Sequence, residues 1–151
     1  MKKIFSSLLL LAGLAAATSC AKDETVAPVI TTASSTLTGA QEAPTPNSSA
    51  ATGSFTGSYN QTTMMLTYTV TFTGLAPTMG HLHIGAPGTA GPVSVPFTPN
   101  NTAGTGFVSP ITGTVKLDQT QATALLGKSM YANLHTTTFP NGEIRGDITT
   151  K

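Results

Sequence analysis

The histidines of this chain fall in two short segments, Gly80-His-Leu-His-Ile-Gly85 and Ala132-Asn-Leu-His-Thr136. His81 and His83 stand at i and i+2, a spacing that puts both side chains on one face of a β-strand. His135 lies in a second strand-like run that the fold can bring alongside. Imidazole is a common protein ligand for copper and zinc, so His81, His83 and His135 are candidate ligands for one ion. Three nitrogens leave a coordination position open, and by the usual affinity order copper(II) binds such a set more strongly than zinc. The competing reading is that each imidazole hydrogen-bonds to threonine or backbone groups and holds nothing. Donor atoms within about 4 Å of one another would fit a single ion with ligand distances of ~2.0–2.1 Å, and separations of twice that would not.

The other chemically capable side chains are few. Glu143 and Arg145 are again i and i+2, and Arg145 is the sole arginine. An isolated arginine commonly clamps a carboxylate or loop carbonyls, so the pair reads as a structural clamp or, second, as a ligand contact. Glu42, Glu143 and Asp147 are the carboxylates available near a histidine site, because Asp118 reads as a helix cap. None of the many serines and threonines stands in a nucleophile motif, and the expectation is a non-enzymatic module.

These residues need a scaffold, and the composition points to β. Threonine makes up roughly a fifth of the chain, and Thr, Val, Ile, Tyr and Phe favour strands. Met64, Leu66, Tyr68, Val70 and Phe72 alternate strictly with Met65, Thr67, Thr69 and Thr71, which predicts a strand with one face in the core. Gly53 to Tyr59 alternates around Phe55 and pairs with it through a turn at Asn60-Gln61. Further strands are expected over Leu37 to Glu42, Gly80 to Gly85, Pro92 to Phe97, Phe107 to Leu117, Met130 to His135 and Ile144 to Ile148. The prolines flanking Val93-Ser-Val95 mark an edge strand. Asp118 to Gly127 is the one helical stretch, with Asp118 as N-cap, Gln121 completing a capping box and Gly127 closing it. The sum is an all-β, antiparallel Greek-key-type β-sandwich of about eight strands with one short helix. In both histidine segments the apolar residues alternate with the histidines, which puts Leu82, Ile84, Met130, Ala132 and Leu134 in the core. The histidines then face outward or into a polar crevice.

The N-terminus reads as a targeting segment. Lys2 and Lys3 precede an apolar run from Ile4 to Ala17, shorter than the ~20 residues a membrane-spanning helix needs. It ends at Ala17-Thr-Ser-Cys20, and Cys20 is the single cysteine. That pattern resembles a bacterial lipobox, in which the thiol of Cys20 is acylated and becomes the mature N-terminus. Residues 1–19 are then a lipoprotein signal peptide, 20–35 the lipidated cysteine and a flexible tether, and 36–151 the domain. Lys22-Asp-Glu24 resembles the signal that sends some lipoproteins to the outer cell surface. The expected location is the outer membrane, surface-exposed or on the periplasmic face. With 9 % charged residues and a net charge of +1, nucleic acid is not an expected partner.

Thr38-Gly-Ala-Gln-Glu-Ala-Pro44, His81-Leu-His-Ile-Gly-Ala-Pro-Gly-Thr-Ala-Gly-Pro92, Tyr131-Ala-Asn-Leu-His-Thr136 and Phe139-Pro-Asn-Gly-Glu-Ile-Arg-Gly146 follow one another in the chain. In that order they resemble the successive motifs of the CHRD (chordin-type) domain, over about residues 36 to 149. The resemblance implies an extracytoplasmic all-β domain more than an activity. A His-x-His strand, a glycine-rich loop and a later histidine strand are also similar to copper/zinc superoxide dismutases. The chain departs from those in having no bridging histidine, no further zinc histidines and no disulfide pair, and fold-level analogy does not carry an activity.

Three readings therefore compete. One is a lipid-anchored module, expected as a monomer, that holds copper or zinc through its histidines. The second is a metal-free adhesion domain that presents loops to an extracellular protein or glycan. The third is a copper-dependent, dismutase-like redox enzyme using the same ligands.

Overall fold

The computed structural model describes residues 27–151. The expected signal peptide and Cys20 lie outside the described residues. Nine strands and one helix follow in order: β1 (Ile30–Thr38), β2 (Thr52–Asn60), β3 (Met65–Thr73), β4 (Met79–Ile84), β5 (Val93–Pro96), β6 (Ile111–Lys116), α1 (Gln119–Leu126), β7 (Met130–His135), β8 (Ile144–Asp147) and β9 (Thr149–Thr150). A 3-10 turn at Gly39–Gln41 follows β1 directly. No helix among the described residues is long and apolar enough to cross a membrane.

Strand pairing is antiparallel throughout, in the order β5-β4-β7-β8-β1-β2-β3-β6, with the short β9 joined to β1. The hydrogen-bonded path is one ladder, yet it curls back on itself over a shared core. Phe97, just past the β5 edge, packs on Tyr68 of β3 with ring centroids 5.2 Å apart. The two halves thus face each other as in a sandwich or a barrel, and the all-β expectation holds. Leu37, Phe55, Leu66, Val70, Leu82, Leu125, Ala132, Leu134 and Ile144 are fully enclosed between them. Burying a leucine, isoleucine or phenylalanine stabilises by about 1.5–3 kcal/mol, which is how a chain this poor in charge holds together.

Local rules account for most element boundaries. In β3 the residues Leu66, Tyr68, Val70 and Phe72 are buried and their neighbours are open or half-open, as the alternation predicts. Asp118 accepts from the Gln121 amide at 2.8 Å while the Gln121 side chain accepts from the Asp118 amide at 2.9 Å, so the capping box forms as expected. β5 pairs with β4 alone and is an edge.

Three boundaries differ from expectation. The first strand is Ile30–Thr38, not Leu37 to Glu42, so residues expected in the tether already pair with β2 over its whole length. Glu42 follows the 3-10 turn and is folded inward instead of lying in a strand. The β2–β3 connection is a four-residue turn, Gln61 to Met64, and Met64 closes it with φ of 60° rather than joining the strand. The Asn60 side chain secures that turn by accepting from the amides of Thr62 and Thr63.

Candidate metal centre

β4 and β7 are immediate neighbours, which settles whether the histidine segments meet. Their register opposes His83 to Tyr131, His81 to Asn133 and Met79 to His135. Because side chains alternate, Leu82, Ala132 and Leu134 enter the core, and the three histidines share the opposite face with Tyr131 and Asn133. That face is not an open surface. All six residues of β7 are buried, since its polar side is covered by the loops that follow Thr38, Ile84 and His135. His83 and His135 are buried and His81 is half-buried, so the histidines lie in a polar crevice rather than pointing outward.

The crevice gathers one nitrogen from each imidazole, all within 4.8 Å of one another. His81 Nδ1 and His135 Nε2 are closest, at 3.3 Å. The widest separation exceeds the ~4 Å expected around one ion and falls well short of the distance that would exclude it. Ring centroids are 5.4 Å apart for His81 and His83, 5.1 Å for His81 and His135, and 6.0 Å for His83 and His135.

Backbone carbonyls decide which nitrogens are available. His83 Nδ1 lies 3.0 Å from the Gly91 carbonyl, and His135 Nδ1 lies 3.1 Å from the Pro140 carbonyl. A carbonyl only accepts, so both Nδ1 atoms must carry the proton, which leaves both Nε2 atoms as lone pairs. Such a carbonyl behind a histidine is the usual outer support of a metal-binding imidazole. His83 Nε2 is buried without any hydrogen-bond partner. A buried acceptor with nothing to accept from is costly unless a ligand uses it.

Burial also keeps the rings neutral. Desolvation lowers the pKa of all three histidines; His81 falls to about 4, helped by His135 and His83 beside it. The Gly91 and Pro140 carbonyls partly oppose this for His83 and His135. At neutral pH the set is three uncharged imidazoles, the form that binds metal.

A stacked column braces the site from the β8 side. The Tyr131 ring lies parallel to His83 with centroids 4.7 Å apart and 10° between planes. On its other flank the Arg145 guanidinium sits 3.5 Å from the ring centroid. The Tyr131 hydroxyl donates to the Gly91 carbonyl at 3.2 Å and accepts from the Gly91 amide at 3.0 Å. The glycine-rich loop is therefore tied to the ligand strand at the residue that supports His83. Glycine is required there, because a Cβ would run into the Ile84 carbonyl.

Arg145 and Glu143 are tied to neighbouring side chains, while Arg145 Nε and Nη1 are buried without a hydrogen-bond partner. Arg145, 1 % exposed, donates to Asp147 at 2.8 Å. Glu143 accepts from Ser49 Oγ at 2.8 Å and Thr136 Oγ1 at 2.6 Å, joining two covering loops. Glu42 accepts from Asn133 Nδ2 at 3.3 Å. Burial pushes the Glu42 carboxyl up to about 7 against the opposing influence of Asn133 and Arg145. None of the three carboxylates belongs to the cluster of candidate metal ligands. Sequence reasoning missed Gly91 and Pro140, because carbonyl supports leave no side-chain signature. Tyr131 and Asn133 had a signal, the alternation that put them on His135's face.

Among protein families, the CHRD domain matches this chain over residues 33–148. No curated protein and no solved structure matches it.

Proposed function

The chain belongs to the CHRD domain family, and we propose that it is a lipid-anchored, extracytoplasmic module that binds one copper or zinc ion through His81 Nδ1, His83 Nε2 and His135 Nε2. The observation that carries this reading is the orphaned His83 Nε2, held by its Gly91 contact towards two other imidazole nitrogens. Two of the three rings have the outer-shell carbonyl that fixes a ligating tautomer, and all three are kept neutral by burial. His81 is only half-buried, which leaves that side of the site open to a further donor. Support for the anchor comes from the basic residues Lys2 and Lys3, the short apolar run and the lone Cys20. The role proposed is binding, with no catalytic step assigned.

The test is elemental analysis of the purified full chain, followed by copper(II) and zinc titration of metal-stripped protein. One equivalent bound at micromolar metal, and lost in His81→Ala and His83→Ala, supports the site. Absent binding, or binding unchanged in His81→Ala, contradicts it and leaves the 3.3 Å His81–His135 contact as an ordinary hydrogen bond. The anchor is tested separately by mass spectrometry of the mature N-terminus in the wild type and in Cys20→Ser.

A further inference from the structure

We propose that Met79 is a fourth ligand of the histidine site, a thioether that makes the site selective for copper(I) over zinc. The proposal rests on the metal reading above and deepens it. Met79 begins β4, and the strand alternation puts it on the same face as His81 and His83. The β4–β7 register sets it directly opposite His135. Directly opposed residues in an antiparallel pair have Cβ atoms about 4.5–5.5 Å apart. Met79 is thus next to His81 along its own strand and next to His135 across the ladder, and those two rings hold the 3.3 Å nitrogen pair.

Its exposure sets it apart from the core. Met79 is 44 % exposed, whereas Gly80 and Leu82 on the other face are buried. The side chain contributes little to packing, and its neighbour on that face, His81, is itself only half-buried. Three rotatable bonds let a methionine swing its sulfur onto a neighbouring site. Sulfur changes the site's chemistry. Zinc in proteins takes thiolate, imidazole and carboxylate, and a neutral thioether adds little for it. Soft, polarisable copper(I) is well served by imidazole and thioether together. The other large exposed apolar side chains, Val29, Ile30, Val93, Val108 and Leu126, carry no donor atom.

The experiment compares full-length wild type with Met79→Leu, a volume-conserving change at an open position that the fold tolerates. Copper(I) affinity is measured anaerobically by competition with a chromophoric copper(I) chelator, and zinc affinity by competition with a zinc chelator. The expected result is a loss of at least tenfold in copper(I) affinity with zinc affinity held within twofold. X-ray absorption of the copper(I)-loaded wild type should show one sulfur scatterer beside nitrogen, and that sulfur should vanish in Met79→Leu. Equal copper(I) affinity in the two proteins, with nitrogen-only scattering, overturns the role of Met79 while leaving the histidine site intact. A wild type that binds neither copper(I) nor zinc overturns the histidine site and this inference with it.

Discussion

His83 and Tyr131, opposed across β4 and β7, stack with their rings 4.7 Å apart, and both hydrogen-bond to the Gly91 carbonyl. One glycine thereby sets the tautomer of His83, the pose of the ring behind it and the position of the loop over both. Arg145 closes the column from the far side. The site is built from long-range strand pairing, with its outer support supplied by loops.

Gly91→Ala should therefore damage the site while leaving every histidine present. A Cβ at that position collides with the Ile84 carbonyl and must push the loop, and the Gly91 carbonyl, away from β4. Loss of an outer-shell partner typically weakens metal binding about 10–100-fold. Metal titration of the variant alongside denaturant unfolding checks this; wild-type affinity in the altered protein would contradict the supporting role.

Arg145→Lys should destabilise the fold by about 2–4 kcal/mol, because a lysine keeps the charge but loses the planar stack on Tyr131 and leaves the buried pocket badly filled. Urea unfolding at pH 7 reads it. A cost below ~0.5 kcal/mol, the scale of an exposed ion pair, would show that the stack contributes nothing.

The histidines and Glu42 make opposite contributions to pH dependence. Each histidine has a folded pKa below 6.5, so the unfolded chain takes up protons first. Their stabilisation is full above pH 6.5 and is lost as pH falls, for His81 through about 4. In metal-free protein the His81 part is read as the difference in unfolding free energy between wild type and His81→Asn, which should shift against the wild type as pH falls from 6.5 to 4; a difference that stays constant with pH would contradict it.

Glu42 works the other way. Its folded pKa is raised from 4.5 to about 7, so its contribution is present below pH 4.5 and lost as pH rises through 7. Glu42→Gln removes a buried charge and should gain about 1–3 kcal/mol at pH 8 and little at pH 4. Equal unfolding free energies of variant and wild type at pH 8 would contradict the strained carboxylate.

Much of this was legible in the residues, for identifiable reasons. Strict alternation from Leu66 to Phe72 and the Asp118–Gln121 capping pattern are local, and the structure follows them. The start of β1 was hidden, because its core-facing residues begin with Thr31 and Ala33, too small and polar to mark a buried face. The histidine faces could be read from spacing alone, but the pairing of β4 with β7 spans some fifty residues and follows from no local pattern. Alternation left open whether the histidines face outward or into a polar crevice, and the covering loops decide it by burying a second, polar layer around Asn133 and Arg145. The four resembling motifs each contribute to that layer or its cover, which is why they stood out in the chain.

The central claim is that three particular nitrogens share one ion, and nitrogen-15 NMR of the imidazoles tests it directly. In the metal-free full chain, His83 and His135 should be protonated at Nδ1, as their carbonyl partners require. One equivalent of zinc should shift Nε2 of His83, Nε2 of His135 and Nδ1 of His81 together, while the two Nδ1 protons stay in place. Zinc that leaves the three rings unchanged, or that binds through Nδ1 of His83 or His135, would contradict the site.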